Sequence, residues 1–237
     1  MDILTTDFHT HILPGIDDGS QSVDDSIAML LKEQSDGVDT ILLTPHFYPQ
    51  TMFPDTFLEK RQIAMDQLRS ALPQDRKMPH LIPGAEVQYC PGMSQWEQLN
   101  SLAIGDSKHI LIEMPYTKWS ENTYAELKRI RIECDLTPII AHVERYLTRY
   151  NMNRVLNRLL SIPVLLQMNC EYLTDIRTQR TALKLISAHK IHLIGSDCHS
   201  SNWRSPTMAQ ARDVLLANAD EQTLLFMSQM QRMVIHR

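Results

Sequence analysis

Short apolar runs rich in valine, isoleucine and leucine alternate along the chain with longer segments of helical period. The runs are Ile3 to Phe8, Thr40 to Thr44, Leu81 to Val87, His109 to Met114, Thr137 to Val143, Pro163 to Asn169 and Ile191 to Ser196. Such alternation predicts parallel strands joined by crossover helices. The first helix is introduced by Ser22-Val23-Asp24-Asp25, which resembles a capping box, and is closed by Gly37, a residue suited to a left-handed cap. Helical patterns also cover about Thr56 to Leu72, Thr123 to Cys134, Met152 to Leu160, Gln179 to His189, Pro206 to Asn218 and Glu221 to Met233. No repeat or Gly/Ser linker interrupts the series. It predicts a single α/β domain over residues 1–237, a barrel one strand short of the usual eight.

Composition narrows the chemistry. With 237 residues, 43% hydrophobic and 22% charged, the chain has the make-up of a soluble globular protein. A net charge of −5 without a clustered basic segment excludes a nucleic-acid partner and disfavours nuclease activity. Cys90, Cys134, Cys170 and Cys198 form no CxxC pair, which predicts neither a zinc ribbon nor a disulfide framework and fits a reducing cytoplasm. No leader-like stretch or bilayer-length apolar run is present, so a cytoplasmic location without membrane insertion is expected.

Histidines 9, 11, 46, 142 and 199 lie at or just past the C-terminal ends of apolar runs, and so do Asp7, Asp17, Asp18, Glu86, Glu113 and Asp197. In a parallel barrel those ends open on one face, where such folds build their active sites. His9 and His11 alternate, so both side chains can point to one face and grip one ion. A carboxylate such as Glu86 can bridge two cations, and mixed imidazole and carboxylate donors suit manganese, iron or zinc. Each piece has a plain structural alternative. Asp17-Asp18-Gly19 reads equally as a turn, Glu86 and Glu113 as surface acids, and Asp197 as a cap. Six strand ends sharing one chemistry favour the joint metal reading. His80, His109, His189, His192 and His236 are read as surface or structural.

Residues 195–206, GSDCHSSNWRSP, also carry the Cys198, Arg204, Ser205 spacing of a cysteine phosphatase loop. Such loops rely on glycine to turn their amides inward, and HSSNW has none. Asp197 would raise the pKa of the neighbouring thiol, the wrong direction for a nucleophile. The spacing is therefore read as coincidental.

Taken in order, DFHTHILPGIDDGS, TPHF, GAEV, IEMP, AHVERY, QMNC and GSDCH resemble the polymerase and histidinol phosphatase (PHP) superfamily. More closely, they resemble its manganese-dependent bacterial protein tyrosine phosphatases of capsule and exopolysaccharide systems, over about Thr6 to Pro206. The resemblance implies a distorted seven-stranded (β/α) TIM-like barrel and a trinuclear site. His9, His11, Glu86 and Asp197 would hold one metal. Glu86 as a bridge, Glu113 and His142 would hold a second, and Asp18, His46 and His199 a third. Arg145 and Arg204 would hold phosphoryl oxygens. Asn169 matches a polar family position and reads equally as a helix N-cap.

The implied activity is hydrolysis of phosphotyrosine by a hydroxide bridging two metals, with no phosphoenzyme. The implied partner is the tyrosine-rich tail of a bacterial tyrosine kinase acting in polysaccharide assembly and export. Phe47, Tyr48, Phe53, Tyr116, Trp119 and Trp203 lie beside the expected site, where they either flank a phosphotyrosine ring or pack the loops. A small-molecule phosphatase, such as one acting on histidinol phosphate, would share the metal site. A non-catalytic metal-binding scaffold would share it without turnover.

Overall fold

The third apolar run is divided at Gly84-Ala85, and a short strand that no run covered follows the second run after a break at Thr44-Pro45. The computed structural model, which describes residues 3–149 and 151–235, accordingly shows nine strand segments. They are β1 (Thr6–Thr10), β2 (Thr40–Leu43), β3 (His46–Phe47), β4 (His80–Pro83), β5 (Glu86–Gln88), β6 (His109–Glu113), β7 (Thr137–Ile140), β8 (Leu165–Asn169) and β9 (Leu193–Gly195). Proline has no N–H to give a ladder, which explains the break at Thr44-Pro45. All pairings are parallel, in the orders β1-β2-β4 and β3-β5-β6-β7-β8-β9. The fold is mixed α/β with a curled parallel sheet of six strands, consistent with a distorted barrel.

The helices are α1 (Val23–Ser35), α2 (Pro54–Ala71), α3 (Glu121–Glu133), α4 (Glu144–Arg149), α5 (Met152–Leu159), α6 (Cys170–Thr174), α7 (Gln179–Ser187), α8 (Met208–Asn218) and α9 (Glu221–Ile235). α4 and α6 were not expected, because neither is long enough to show a helical period. At the start of α1 the Ser22 hydroxyl accepts from Asp25 N at 3.2 Å. The reciprocal half of a capping box is missing, since Asp25 Oδ1 accepts from Ser201 N at 3.0 Å and ties α1 to the loop after β9. Gly37 has φ +79°, a left-handed conformation that costs glycine little, as expected for the residue closing this helix.

The larger apolar cluster lies where helices cover the strands. A smaller one collects Phe8, Leu42, Leu111, Ile139, Leu165 and Leu193 from six different strands, with Val234 of α9 against them. These packed residues precede the polar strand ends, so the charged side chains sit above an apolar floor. β1 carries a register shift in which Phe8 and His9 together stand opposite Leu42. A bulge of this kind re-aims side chains: Phe8 joins the inner cluster while His9 reaches the ligand cluster described next. Asp197 N donates to His9 O at 2.7 Å and His11 N to Cys198 O at 2.9 Å, linking β1 to the end of β9. β9 approaches so closely that a Cβ on Gly195 would lie 2.6 Å from His9 Cβ, so only glycine fits there.

Among the described residues, no helix is long and apolar enough to cross a membrane.

Candidate metal centre

The strand ends bring the nine candidate ligands into one cluster. Glu86, at the start of β5, is its hub. Glu86 Oε2 lies 3.0 Å from His9 Nε2, 3.3 Å from His11 Nε2 and 3.0 Å from His46 Nδ1, and Oε1 lies 2.8 Å from His142 Nε2. Asp197 Oδ1 is 3.6 Å from His9 Nε2 and 3.4 Å from His11 Nε2. Glu113 Oε1 is 4.0 Å from His142 Nε2. Asp18, the exposed member, places Oδ1 3.6 Å from His46 Nε2 and 3.5 Å from His199 Nε2. Among these ligands, three groups have donor atoms close enough to share one ion: His9, His11 and Glu86; His46, Glu86 and Glu113; and His11, Asp18, His46 and His199. His11, His46 and Glu86 each lie in two of them, and a fourth group elsewhere joins Asp7, Glu33 and Cys198.

Several of these atoms are placed for a cation rather than for hydrogen bonding. Glu86 Oε2, His46 Nδ1 and His199 Nε2 are buried without a hydrogen-bond partner. His46 Nδ1 and Glu86 Oε2 approach to 3.0 Å without the alignment a hydrogen bond requires. His9 Nε2 and His11 Nε2 face each other at 3.1 Å. Orphaned buried groups are costly, and a cation between them removes the cost. The donor set therefore fits divalent metal ions.

The electrostatics divide the histidines. Burial opposes the Glu86 charge, yet His9, His11 and His142 hold its carboxyl well below the usual range. Burial lowers His46 and His142, and lowers His199 to about 4, favouring the neutral imidazole that binds metals, whereas against burial Glu86 and Asp197 raise His9 and Asp17 raises His11 well above the ordinary range. Burial also lifts Glu113 to about 7, with Glu86 adding to the rise and Arg145 and His9 opposing it.

Asp17, not Asp18, is the buried half of the acidic doublet. Its Oδ2 lies 2.7 Å from His11 Nδ1 and accepts from His46 N at 2.9 Å, while Oδ1 accepts from Gly19 N at 2.9 Å. Burial works against the Asp17 charge, but His11 and the backbone donors hold its carboxyl down at about 2. Asp17 thus orients the His11 ring with Nε2 inward. Gln167 does similar work: its Oε1 accepts from His142 N at 2.7 Å and lies 3.3 Å from His9 Nδ1. Tyr146 Oη accepts from Met114 N at 2.9 Å and lies 3.4 Å from His142 Nδ1. Sequence reasoning passed over Gln167 and Tyr146. Gln167 had one available signal, its place two residues before Asn169 on the same face of β8.

Arg145 and Arg204 both converge on Asp197. Arg145 Nη2 lies 2.5 Å and Arg204 Nη2 2.7 Å from Asp197 Oδ2, which also accepts from Asn169 Nδ2 at 2.8 Å. Asn169 occupies the N-cap position of α6 but makes no side-chain cap bond: its Oδ1 accepts from Gln167 Nε2 at 2.9 Å while its Nδ2 donates to Asp197. His142, Asp197 and Arg204 have φ of 32°, 54° and 50°, unusual for residues with a Cβ and typical of strain held at functional sites. The Cys198 thiol is fully buried beside Asp7 and Glu33. Burial raises it well above the ordinary thiol range, and the two acids raise it further, the reverse of an activated nucleophile.

The aromatic candidates separate cleanly. Phe47 packs on Phe57 and Trp96, and Trp119 is buried against Tyr124 and Tyr146. Tyr48, Phe53, Tyr116 and Trp203 are exposed, and Tyr48 stacks on His46 with ring centroids 5.0 Å apart. His80, His109, His189 and His192 lie outside the cluster. His236 is outside the described residues.

The family described as "Capsular polysaccharide synthesis, CpsB/CapC" matches residues 5–234, nearly the whole chain. The chain belongs to the CpsB/CapC family. Relatives of this CpsB/CapC member include "Tyrosine-protein phosphatase YwqE" of Bacillus subtilis (strain 168), 29% identical over 216 residues, which cover 88% of this chain and 83% of that protein. "Tyrosine-protein phosphatase CpsB" of Streptococcus pneumoniae is 26% identical over 224 residues, 88% of either chain. A solved structure described as "Crystal structures of YwqE from Bacillus subtilis and CpsB from Streptococcus pneumoniae, unique metal-dependent tyrosine phosphatases" superposes with a TM-score of 0.81. It covers 96% of this chain and 93% of its own at 24% identity, which establishes a shared fold.

Proposed function

We propose that this CpsB/CapC member is a metal-dependent protein tyrosine phosphatase. The observation carrying the proposal is the convergence of nine imidazole and carboxylate side chains at the strand ends, with Glu86 Oε2, His46 Nδ1 and His199 Nε2 buried and unsatisfied. The phosphatase names of its relatives agree. We read the donors as a trinuclear site. His9, His11, Glu86 and Asp197 hold one ion, Glu86, Glu113 and His142 a second, and Asp18, His46 and His199 a third. Manganese is the assigned metal, and iron and zinc fit the same donors. On this reading the two sheets form a seven-stranded distorted barrel.

Divalent cations held there supply an activated water and Lewis-acid neutralisation of phosphoryl charge. The chain's own residues do the rest. Asp197 fixes both guanidiniums through one carboxylate oxygen, leaving further N–H groups of Arg145 and Arg204 for the phosphoryl oxygens. Because the arginines are already oriented, little ordering remains when substrate binds. Asp17 and Gln167 keep His11, His9 and His142 in place. Tyr48 and Tyr116 flank the substrate ring. Phenolate is the conjugate base of an acid with pKa ~10, so no strong general acid is required. The protein substrate is assigned as the phosphorylated tyrosine-rich tail of a bacterial tyrosine kinase in capsule or exopolysaccharide synthesis.

The test is hydrolysis of a phosphotyrosine peptide by protein stripped with a chelator and then resupplied with manganese. Loss and recovery of turnover support the proposal. Activity that survives verified metal removal refutes it and returns attention to Cys198. Faster turnover of histidinol phosphate than of the peptide would replace the protein substrate with a small molecule, and metal binding with no hydrolysis would leave only a scaffold.

A further inference from the structure

Beside the candidate centre lies a small cavity of about 140 Å³, walled by Lys118 and Trp119 of the loop after β6, Tyr124 of α3, and Arg154 and Arg158 of α5. It is a basic spot on a chain whose net charge is −5. Arg158 pairs with Glu121 and lies 5.0 Å over the Tyr124 ring, yet its Nε is buried with no hydrogen-bond partner. Among the described residues, no carboxylate forms an ion pair with Lys118 or Arg154. Three cations thus share one acid around an apolar-walled hole, and a buried guanidinium N–H is left over. An anion on an apolar stem satisfies both.

The cavity is also within reach of the catalytic end. Tyr146 lies 5.9 Å from the His142 ring and Trp119 lies 5.0 Å from Tyr146, centroid to centroid. The Trp119 wall is therefore no more than about 11 Å from His142 in a straight line through the buried Tyr146 ring, so an extended peptide rising roughly 3.3 Å per residue needs at least about three residues to pass over it. Arg149 stands over Tyr116 at 5.6 Å, and Arg145 Nη1 is 3.4 Å from the Tyr116 hydroxyl, so positive charge continues along this side of the mouth.

We propose that this cavity is a specificity subsite for a second anionic side chain of the substrate peptide, at least three residues from the phosphotyrosine. It rests on the phosphotyrosine-peptide reading above and adds a charge preference to it. The shared chemistry is an anion on an apolar stem. A glutamate carboxylate carries it on a short stem and a second phosphotyrosine on a longer, aromatic one.

The test uses the metal-loaded full chain and phosphotyrosine peptides in which a single Glu is moved one residue at a time through the flanks, each compared with Gln at the same place. A further peptide carries a second phosphotyrosine at the best position. Wild-type kcat/KM is expected to favour the best Glu peptide over its Gln partner by roughly fivefold, the worth of a pair of partly exposed ion pairs. The ratio should fall toward one in the Lys118→Gln/Arg154→Gln double variant, return in part with Arg154→Lys, and shrink as salt is raised. If the double variant fails to fold, the salt series on wild type decides. A ratio near one at every position, or a preference insensitive to salt, overturns the subsite. The second-phosphotyrosine peptide exceeding the Glu peptide identifies the doubly phosphorylated segment as the better occupant; the reverse identifies an acidic one. Failure of every peptide to turn over removes the phosphatase reading itself, whereas turnover without charge preference removes only the subsite.

Discussion

Gly195→Ala tests the architecture of the centre without replacing a ligand. The added Cβ would stand 2.6 Å from His9 Cβ, 2.8 Å from His9 N and 3.0 Å from Gln167 Nε2. Carbon atoms in contact normally keep about 3.5–4.0 Å, so β9 and β1 must part by about 1 Å. That movement falls on the 2.7 Å bond from Asp197 N to His9 O and separates two candidate ligands of the same ion. Overpacking of this kind costs about 1–3 kcal/mol of stability. Misplacing a reacting constellation by about 1 Å costs on the order of 100-fold in rate. Thermal unfolding, metal content after desalting and phosphotyrosine turnover should all fall together. Gly84→Ala is the control, because its Cβ would meet its nearest neighbours at 3.4 Å. A Gly195→Ala protein with wild-type metal content and turnover within about twofold of wild type would refute the close-approach argument.

Other predictions address separate parts of the centre. Asp17→Asn should lower metal affinity about 10–100-fold while preserving the fold, because it loosens the His11 ring without removing a ligand; metal titration in a competing chelator reads this directly. His142→Ala should lose both metal occupancy and turnover, whereas Arg145→Ala should keep the metals and lose about 100-fold in kcat. An Arg145→Ala enzyme as active as wild type would remove that residue from phosphoryl binding. His192 supplies a pH prediction away from the centre. Burial depresses it to about 4, and its Nδ1 accepts from Leu166 N at 3.0 Å. The unfolded chain, with an ordinary histidine near ~6.5, binds the proton more readily. The contribution of His192 is therefore fully present above about 6.5 and is lost as pH falls toward 4, by roughly 2–3 kcal/mol. Urea unfolding of wild type and His192→Gln across that window should show the difference between them shrinking as pH falls.

Much of this molecule was written in its periodicity. Apolar runs followed by His, Asp or Glu specified parallel strands and the face on which polar side chains gather, because strand ends in a parallel sheet share one side. Motif order specified the superfamily, since the spacing of ligands follows the lengths of the intervening strands and helices. What one dimension could not decide was direction and proximity. Asp17 and Asp18 are neighbours with equal chemistry, and only the close turn onto His11 and His46 buries one and leaves the other 69% exposed. Arg145 and Arg204 were legible as candidates, but their meeting on one oxygen of Asp197 depends on a bend at φ 54° that no period signals. Cys198 lies beside ligands in sequence yet its thiol groups with Asp7 and Glu33, on the far side of the left-handed bend at Asp197. Sequence determined which chemistry was available. The packing of β1 against β9, permitted by Gly195, determined which of those groups meet.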